Sequence, residues 1–326
     1  MKPDKHDLWG PLGGAILAAG LFPIAWWYLS GSAAHFDAAT PAFHDTSPLE
    51  QWLAFSTAVA IKPVYLLLSL VLIIWLWRRK ASDLVALRRG LIAFWLGENA
   101  CSVNFLIYHG NGELWEYLHN FGMTVAFSFI TYAVLEGVDQ RLIKYSAAKD
   151  RCAALGLCRA CIKYADVPCG FRRVFTLLIP ATLVLALMPL CAGLREVAYD
   201  TNIVGSIQHF AQTRPRQLFE IRYCPLLAIL LLTASWLVLR FKRTEPVALA
   251  KVLFAAAMGP LSFGLMRLFL FAAYREDLAW FIFWEEATEL LFVVAVAFVL
   301  LIFRQSLFAA ESTVDAALPG KSSVRG

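Results

Sequence analysis

Four cysteines fall within 18 residues, at Cys152, Cys158, Cys161 and Cys169, spaced C-x5-C-x2-C-x7-C. Thiolates are soft ligands that suit Zn or Fe–S centres. In a reducing compartment, four in one short loop point to a metal rather than to disulfides. A structural Zn site usually pairs two C-x2-4-C elements, and here only Cys158 and Cys161 form such a pair. A five-residue gap followed by a two-residue gap lies near the plant-type [2Fe–2S] run, although the fourth cysteine follows sooner than in that pattern. Arg151, Arg159, Lys163, Arg172 and Arg173 surround the run and favour thiolates. An Fe–S cluster, a Zn ion and a metal-free loop with reversibly lipidated thiols are all open.

A second set of candidates consists of charged residues inside apolar runs: Lys62, Glu98, Arg267, Glu285, Glu286 and Glu289. Each costs about 2.5–3.5 kcal/mol at the centre of a bilayer, so such residues point to function by default. With a helical rise of about 1.5 Å per residue, Arg267 and Glu286 share one depth, being equally far from the connection between their helices. Glu285 and Glu289 share a helix face, and Glu98 and Glu289 both come to roughly 13–15 Å below the outer surface. Glu98, Arg267, Glu285, Glu286 and Glu289 are therefore expected to converge on one polar site, with Arg267 against a carboxylate of the last apolar run. Four carboxyls facing two cations leave at least one unpaired, and an unpaired carboxyl in a low dielectric takes up a proton. That suits a proton relay, a cation site or a quinone site. The plainer alternative is that the pairs only fix helix packing.

Histidine supplies the third set. His35, His44, His109, His119 and His209 fall on one side of the expected membrane, and only His6 on the other. In HGNGELWEYLHNFG, Glu116 and His119 have the E-x-x-H spacing that puts both on one helical face. With His109 they form a candidate cofactor site, because imidazole with carboxylate suits Zn, Fe or Cu. Two histidines from different spans also suit axial haem ligation. Di-iron bundles use two E-x-x-H copies, whereas this chain has one. The bland reading is that these groups face water at the interface.

The elements that must position these residues follow from composition. The chain of 326 residues is 60% hydrophobic and only 16% charged, with a mean hydropathy of +0.62. A soluble domain carries about 25% charged residues, so lipid is the expected solvent. The 11 Trp and 10 Tyr suit interfacial belts. Apolar runs of membrane-crossing length predict about eight spans, at 11–30, 55–77, 90–108, 121–138, 174–192, 223–239, 247–273 and 280–303. The first could serve as a signal peptide, but its length and the acidic Asp4 and Asp7 before it favour an uncleaved span.

Arginine and lysine crowd one set of loops. The segment 141–173 alone holds eight, whereas 31–54 and 109–120 hold none. The positive-inside rule then places both termini in the cytoplasm. It also accounts for the net charge of +5 without nucleic acid as a partner. The expected fold class is all-α: a polytopic transmembrane helix bundle over 1–310, with a cytoplasmic Cys-rich loop at 140–173 and an outer loop at 193–222. A disordered cytoplasmic tail is expected over 311–326, where small and polar residues prevail.

Together these features predict a multi-pass protein of a bacterial-type inner membrane. The first functional expectation is membrane electron transfer. A cytoplasmic four-cysteine centre, Fe–S or Zn, would communicate with the buried Glu/Arg site. The hydrocarbon is about 30 Å thick, so a quinone, a haem or partner redox subunits would have to bridge it. The alternative expectation is a proton-coupled transporter or channel whose cysteine loop is a structural Zn site. Whether the protein is an enzyme stays open.

Overall fold

The computed structural model describes residues 13, 20, 42–143, 169–203, 205–212, 214–241, 246–304 and 307–308. Most of the first apolar run, the cysteine loop up to residue 168 and the tail 311–326 lie outside the described residues.

Helices dominate, and local signals set their ends. A short strand β1 (Ala42–His44) precedes them. Helix α1 (Pro48–Ser56) opens on a capping box: Ser47 caps the backbone N–H of Glu50, whose carboxylate returns to the Ser47 N–H at 2.5 Å. A π-helical turn (Thr57–Ile61) carries the chain into α2 (Lys62–Leu76). Helix α3 (Ser82–Tyr108) ends at His109 and Gly110, both with positive φ. Helix α4 (Glu113–Gly137) returns beside it and passes into a second π-helical turn (Val138–Ile143). Helix α5 (Cys169–Cys191) leads to strands β2 (Val197–Ile203) and β3 (Ser206–Gln212). A short α6 (Arg214–Leu218) and a third π-helical turn (Phe219–Tyr223) lead into α7 (Cys224–Phe241). Helices α8 (Pro246–Tyr274) and α9 (Leu278–Ile302) form an antiparallel pair, with Asp277 capping α9 through the Trp280 N–H at 3.2 Å.

Helix α3 lies along α4, α4 packs on α8, α8 on α7 and α7 on α5, while α9 closes against α1 and α2. One core cluster joins Tyr65, Phe94, Met123, Phe263 and Val293, from α2, α3, α4, α8 and α9. A second joins Phe175, Ile179, Leu232 and Phe254, from α5, α7 and α8. Small residues permit the tightest crossings. A Cβ on Gly122 would stand 2.8 Å from the Gly97 Cα, and one on Gly259 would stand 2.2 Å from the Thr124 carbonyl oxygen. Such backbone contacts are how helices associate where lipid supplies no hydrophobic drive.

Six helices among the described residues are long and apolar enough to cross a membrane. Helix α9 matches them in length, at 25 residues, and carries three glutamates. Large apolar side chains cover the outside of the bundle, Leu177 at 77% exposure, Leu230 at 68% and Leu291 at 66% among them. Such surfaces suit lipid, and the helices satisfy their own backbone groups. The architecture is that of a multi-pass helical membrane protein.

One element departs from the purely helical expectation. The loop expected at 193–222 contains the β2–β3 antiparallel hairpin, turning at Gly205 with φ 78°. Strand β1 adds to β2 in parallel, Ala42 opposite Tyr199. Buried residues alternate along both long strands: Tyr199, Thr201 and Ile203, then Gln208, Phe210 and Gln212. The aromatic side covers Leu270, Leu278 and Phe281 of α8 and α9. The hairpin also docks on the α3–α4 connection, where His209 donates its backbone N–H to the His109 carbonyl at 3.0 Å. A Cβ at Gly110 would meet the His209 carbonyl oxygen at 2.2 Å, so this docking needs glycine there.

Candidate functional site

Beneath the sheet the helices bury a connected set of charged side chains. Lys62 reaches Glu98 Oε2 at 2.7 Å and Glu286 Oε1 at 2.6 Å. The Tyr65 hydroxyl, one turn along α2, stands 2.5 Å from Glu98 Oε2 and also contacts Glu286. Lys62 follows directly on the first π-helical turn. That turn holds one residue more than an α-turn, a device common at functional sites.

Histidine 119 links this arm to a second. The Gly97–Gly122 crossing brings His119 onto α3, where Nδ1 lies 3.3 Å from the Gly97 carbonyl and 3.2 Å from Glu98 Oε1. Both neighbours are acceptors, so Nδ1 carries a proton. The other nitrogen, Nε2, faces Glu285 Oε1 at 3.7 Å and has no hydrogen bond.

Arginine 267 organises the second arm. It reaches Glu285 at 2.8 Å, Glu116 at 3.6 Å and Glu220 at 3.7 Å. Asn104 donates to Glu116 at 3.2 Å, and Asn120 donates to Glu220 at 3.3 Å. Glu220 sits in the third π-helical turn and is fully buried. Arg216 contacts Glu113 at 3.6 Å and acts electrostatically on Glu116.

Glu289 lies where the arms meet. It is 3% exposed, and neither carboxylate oxygen has a hydrogen-bond partner. One of its oxygens lies within 4.8 Å of donor atoms of His119 and Glu285, and likewise of Glu98 and Glu286. Cys101, half-buried, lies as close to Glu98 and His119.

The structure therefore brings Glu98, Arg267, Glu285, Glu286 and Glu289 together, with Arg267 against Glu285 of α9. Glu116 and His119 share a helix face but take different partners, Arg267 for the first and Glu98 and Glu285 for the second. His109 stands apart at the end of α3, its Nδ1 3.3 Å from Ser206 Oγ and 3.5 Å from Gln208 Nε2. Cys152, Cys158 and Cys161 lie outside the described residues, and Cys169 is the first residue of α5. Sequence reasoning missed Tyr65, Asn120 and Glu220. For Tyr65 a signal exists: its spacing of three from Lys62 places both on one helix face.

A further buried charge cluster lies toward the opposite ends of the same helices. Lys251 of α8, 4% exposed, contacts Glu136 and lies 2.7 Å from Asp139. Ser82 donates to Glu136 at 2.9 Å, and Arg141 clamps Asp83 at 2.6 and 2.9 Å. Arg141 also donates to the Leu307 carbonyl at 3.0 Å, tying the chain after α9 to α3 and α4. Asp139 and Arg141 sit in the second π-helical turn. Among the described residues, each of the three π-helical turns thus holds or adjoins a buried ion pair.

Against known proteins, no family model, no curated protein and no solved structure matches this chain.

Proposed function

We propose that this is a proton-translocating membrane transporter or channel, and that the centre around Glu289 is where the proton is held in transit. The observation that carries the reading is Glu289 itself, a buried carboxyl with neither oxygen hydrogen-bonded among four other ionisable groups. Charge balance supports it. Among the described residues the network gathers Glu98, Glu113, Glu116, Glu220, Glu285, Glu286 and Glu289 around three permanent cations, Lys62, Arg216 and Arg267. An uncompensated ion in a low dielectric costs several kcal/mol, so the surplus carboxyls hold protons or another cation. The ion pairs at the other ends of the same helices supply a second place where charges must rearrange for passage.

The test is potential-driven proton entry into proteoliposomes that enclose a pH indicator. Wild type should admit protons faster than protein-free liposomes, and Glu289→Gln should remove most of that entry. Equal entry through both proteins, or none above the blank, overturns the proposal. The finer topology of eight spans with both termini in the cytoplasm of a bacterial-type inner membrane belongs to the same reading. It requires a periplasm-dependent reporter to be active when fused after Asn111 and silent after Ala154.

The cysteine spacing favours a second reading, membrane electron transfer from a cytoplasmic Fe–S centre held by Cys152, Cys158, Cys161 and Cys169. Iron with visible absorbance in the purified protein, lost in Cys158→Ser, supports it. A colourless protein with zinc or no metal leaves electron transfer without a carrier, and the loop is then structural.

A further inference from the structure

We propose that His119, Glu285 and Glu289 form a site for one divalent transition-metal ion, of the Mn2+, Fe2+ or Zn2+ class. The proposal rests on reading the centre as a cation site and names the ion that shares it with protons. Three observations carry it. A ring nitrogen of His119 and one carboxylate oxygen each of Glu285 and Glu289 lie within 4.8 Å of one another, all three side chains being buried. His119 Nε2 and both Glu289 oxygens have no hydrogen-bond partner at 1% and 3% exposure. Nδ1 of the same ring faces the Gly97 carbonyl and Glu98.

The last observation fixes the chemistry. Nε2 faces Glu285 Oε1, 3.7 Å away, and either a proton or a metal ion on Nε2 satisfies that carboxylate. In the metal-bound form the ring keeps its proton on Nδ1 and offers the Nε2 lone pair to the ion. Metal-bound histidines show this same arrangement, the second nitrogen donating to a carbonyl or carboxylate that orients the ring.

The other donors are committed elsewhere. Lys62 and Tyr65 occupy Glu98 Oε2 and Glu286, and Arg267 holds Glu285, so the His119–Glu285–Glu289 corner is marked by Glu289, whose two oxygens have no partner. Around an ion with bonds near 2.1 Å, tetrahedral ligand atoms stand about 3.4 Å apart. Contraction of roughly 1.4 Å from the outer limit of 4.8 Å reaches that spacing by side-chain movement. One nitrogen with two carboxylates selects first-row transition ions over Mg2+ and Ca2+, which prefer all-oxygen shells.

Electron paramagnetic resonance of Mn2+ added to the purified full-length protein tests the site. Mn2+ is the probe because it prefers oxygen and imidazole to the thiolates of the cysteine loop. Wild type should bind one Mn2+ per chain, with nitrogen hyperfine coupling from one histidine. Glu289→Gln, which breaks no hydrogen bond, should weaken binding at least tenfold, and His119→Gln should remove the nitrogen coupling. Cys158→Ser should bind as wild type does. No Mn2+ bound by wild type, or binding unchanged in Glu289→Gln, overturns the metal site. Proton entry in liposomes is measured without added metal, so loss of the metal site leaves that result standing.

Discussion

Gly122 faces Gly97 so closely that a Cβ on Gly122 would press to 2.8 Å from the Gly97 Cα and 3.1 Å from the Ala93 carbonyl oxygen. The obstacles are backbone atoms, which cannot swing aside. Gly122→Ala should force α3 and α4 apart and cost about 1–3 kcal/mol, the usual penalty of overpacking. Thermal unfolding in detergent reads this directly. The same variant should weaken any cation bound at His119, whose placement depends on this crossing.

Lys62 neutralises two carboxylates at once, Glu98 and Glu286. Lys62→Met leaves both buried without their cation and should destabilise the protein by about 3–5 kcal/mol, the cost of breaking a buried pair by removing one partner. Adding Glu286→Gln should restore part of the loss. A double-mutant cycle on unfolding free energies measures the coupling, and a coupling of zero would mean the pair is not energetically joined.

At the other end, Lys251 serves Glu136 and Asp139. Lys251→Met should cost a similar 3–5 kcal/mol, whereas Lys251→Arg should cost less because the charge is kept. Proteolysis near residue 308 offers a second readout. Arg141 ties Leu307 to this cluster, so Arg141→Ala should speed cleavage there.

Asp277 caps α9 outside the bundle, and burial, then the nearby Glu50 carboxylate, raises its pKa above the usual aspartate range. An acid whose folded pKa is raised contributes its stability below the unfolded value, near 3.9, and loses that contribution as pH climbs through the folded value. Asn caps helices as well as Asp does and carries no charge. Asp277→Asn should therefore raise the melting temperature at pH 7 and leave it little changed near pH 4. A gain of equal size at both pH values would mean that the Asp277 charge is not responsible.

The long helices were legible because an apolar run of membrane length is rarely anything but a span. The run 90–108 falls in α3 (Ser82–Tyr108), and the run 280–303 falls on α9 (Leu278–Ile302). The helices begin earlier than the runs where first turns are polar, as at Ser82 and Glu113. The convergence of Arg267 with the α9 glutamates was legible too, since hairpin geometry sets relative depth. Three things were not. Lys251 lies near Arg243 in sequence and reads as part of a basic helix end; only packing of α4 against α8 buries it. Glu220 lies inside the segment 193–222 read as loop, and the π-helical turn that aims it inward has no sequence signature. The hairpin strands contain Asp200, Asn202 and Gln208, so their alternation is of burial rather than of hydrophobicity.

Lys62 meets Glu98, 36 residues away, and Glu286, 224 residues away. In a chain emerging from the ribosome these are very different delays. At about 5–20 residues per second, Glu98 arrives within roughly 2–7 s of Lys62, and Glu286 only after roughly 11–45 s. For most of synthesis Glu98 is the one network carboxylate beside Lys62 that already exists, so the first helices enter the bilayer as a neutral pair. The last helix then inserts three glutamates into a bundle whose cations are already in place. The order of the residues along the chain therefore doubles as an insertion schedule, in which Glu285 and Glu286 find Arg267 and Lys62 already in place, while Glu289 arrives with no partner for either oxygen.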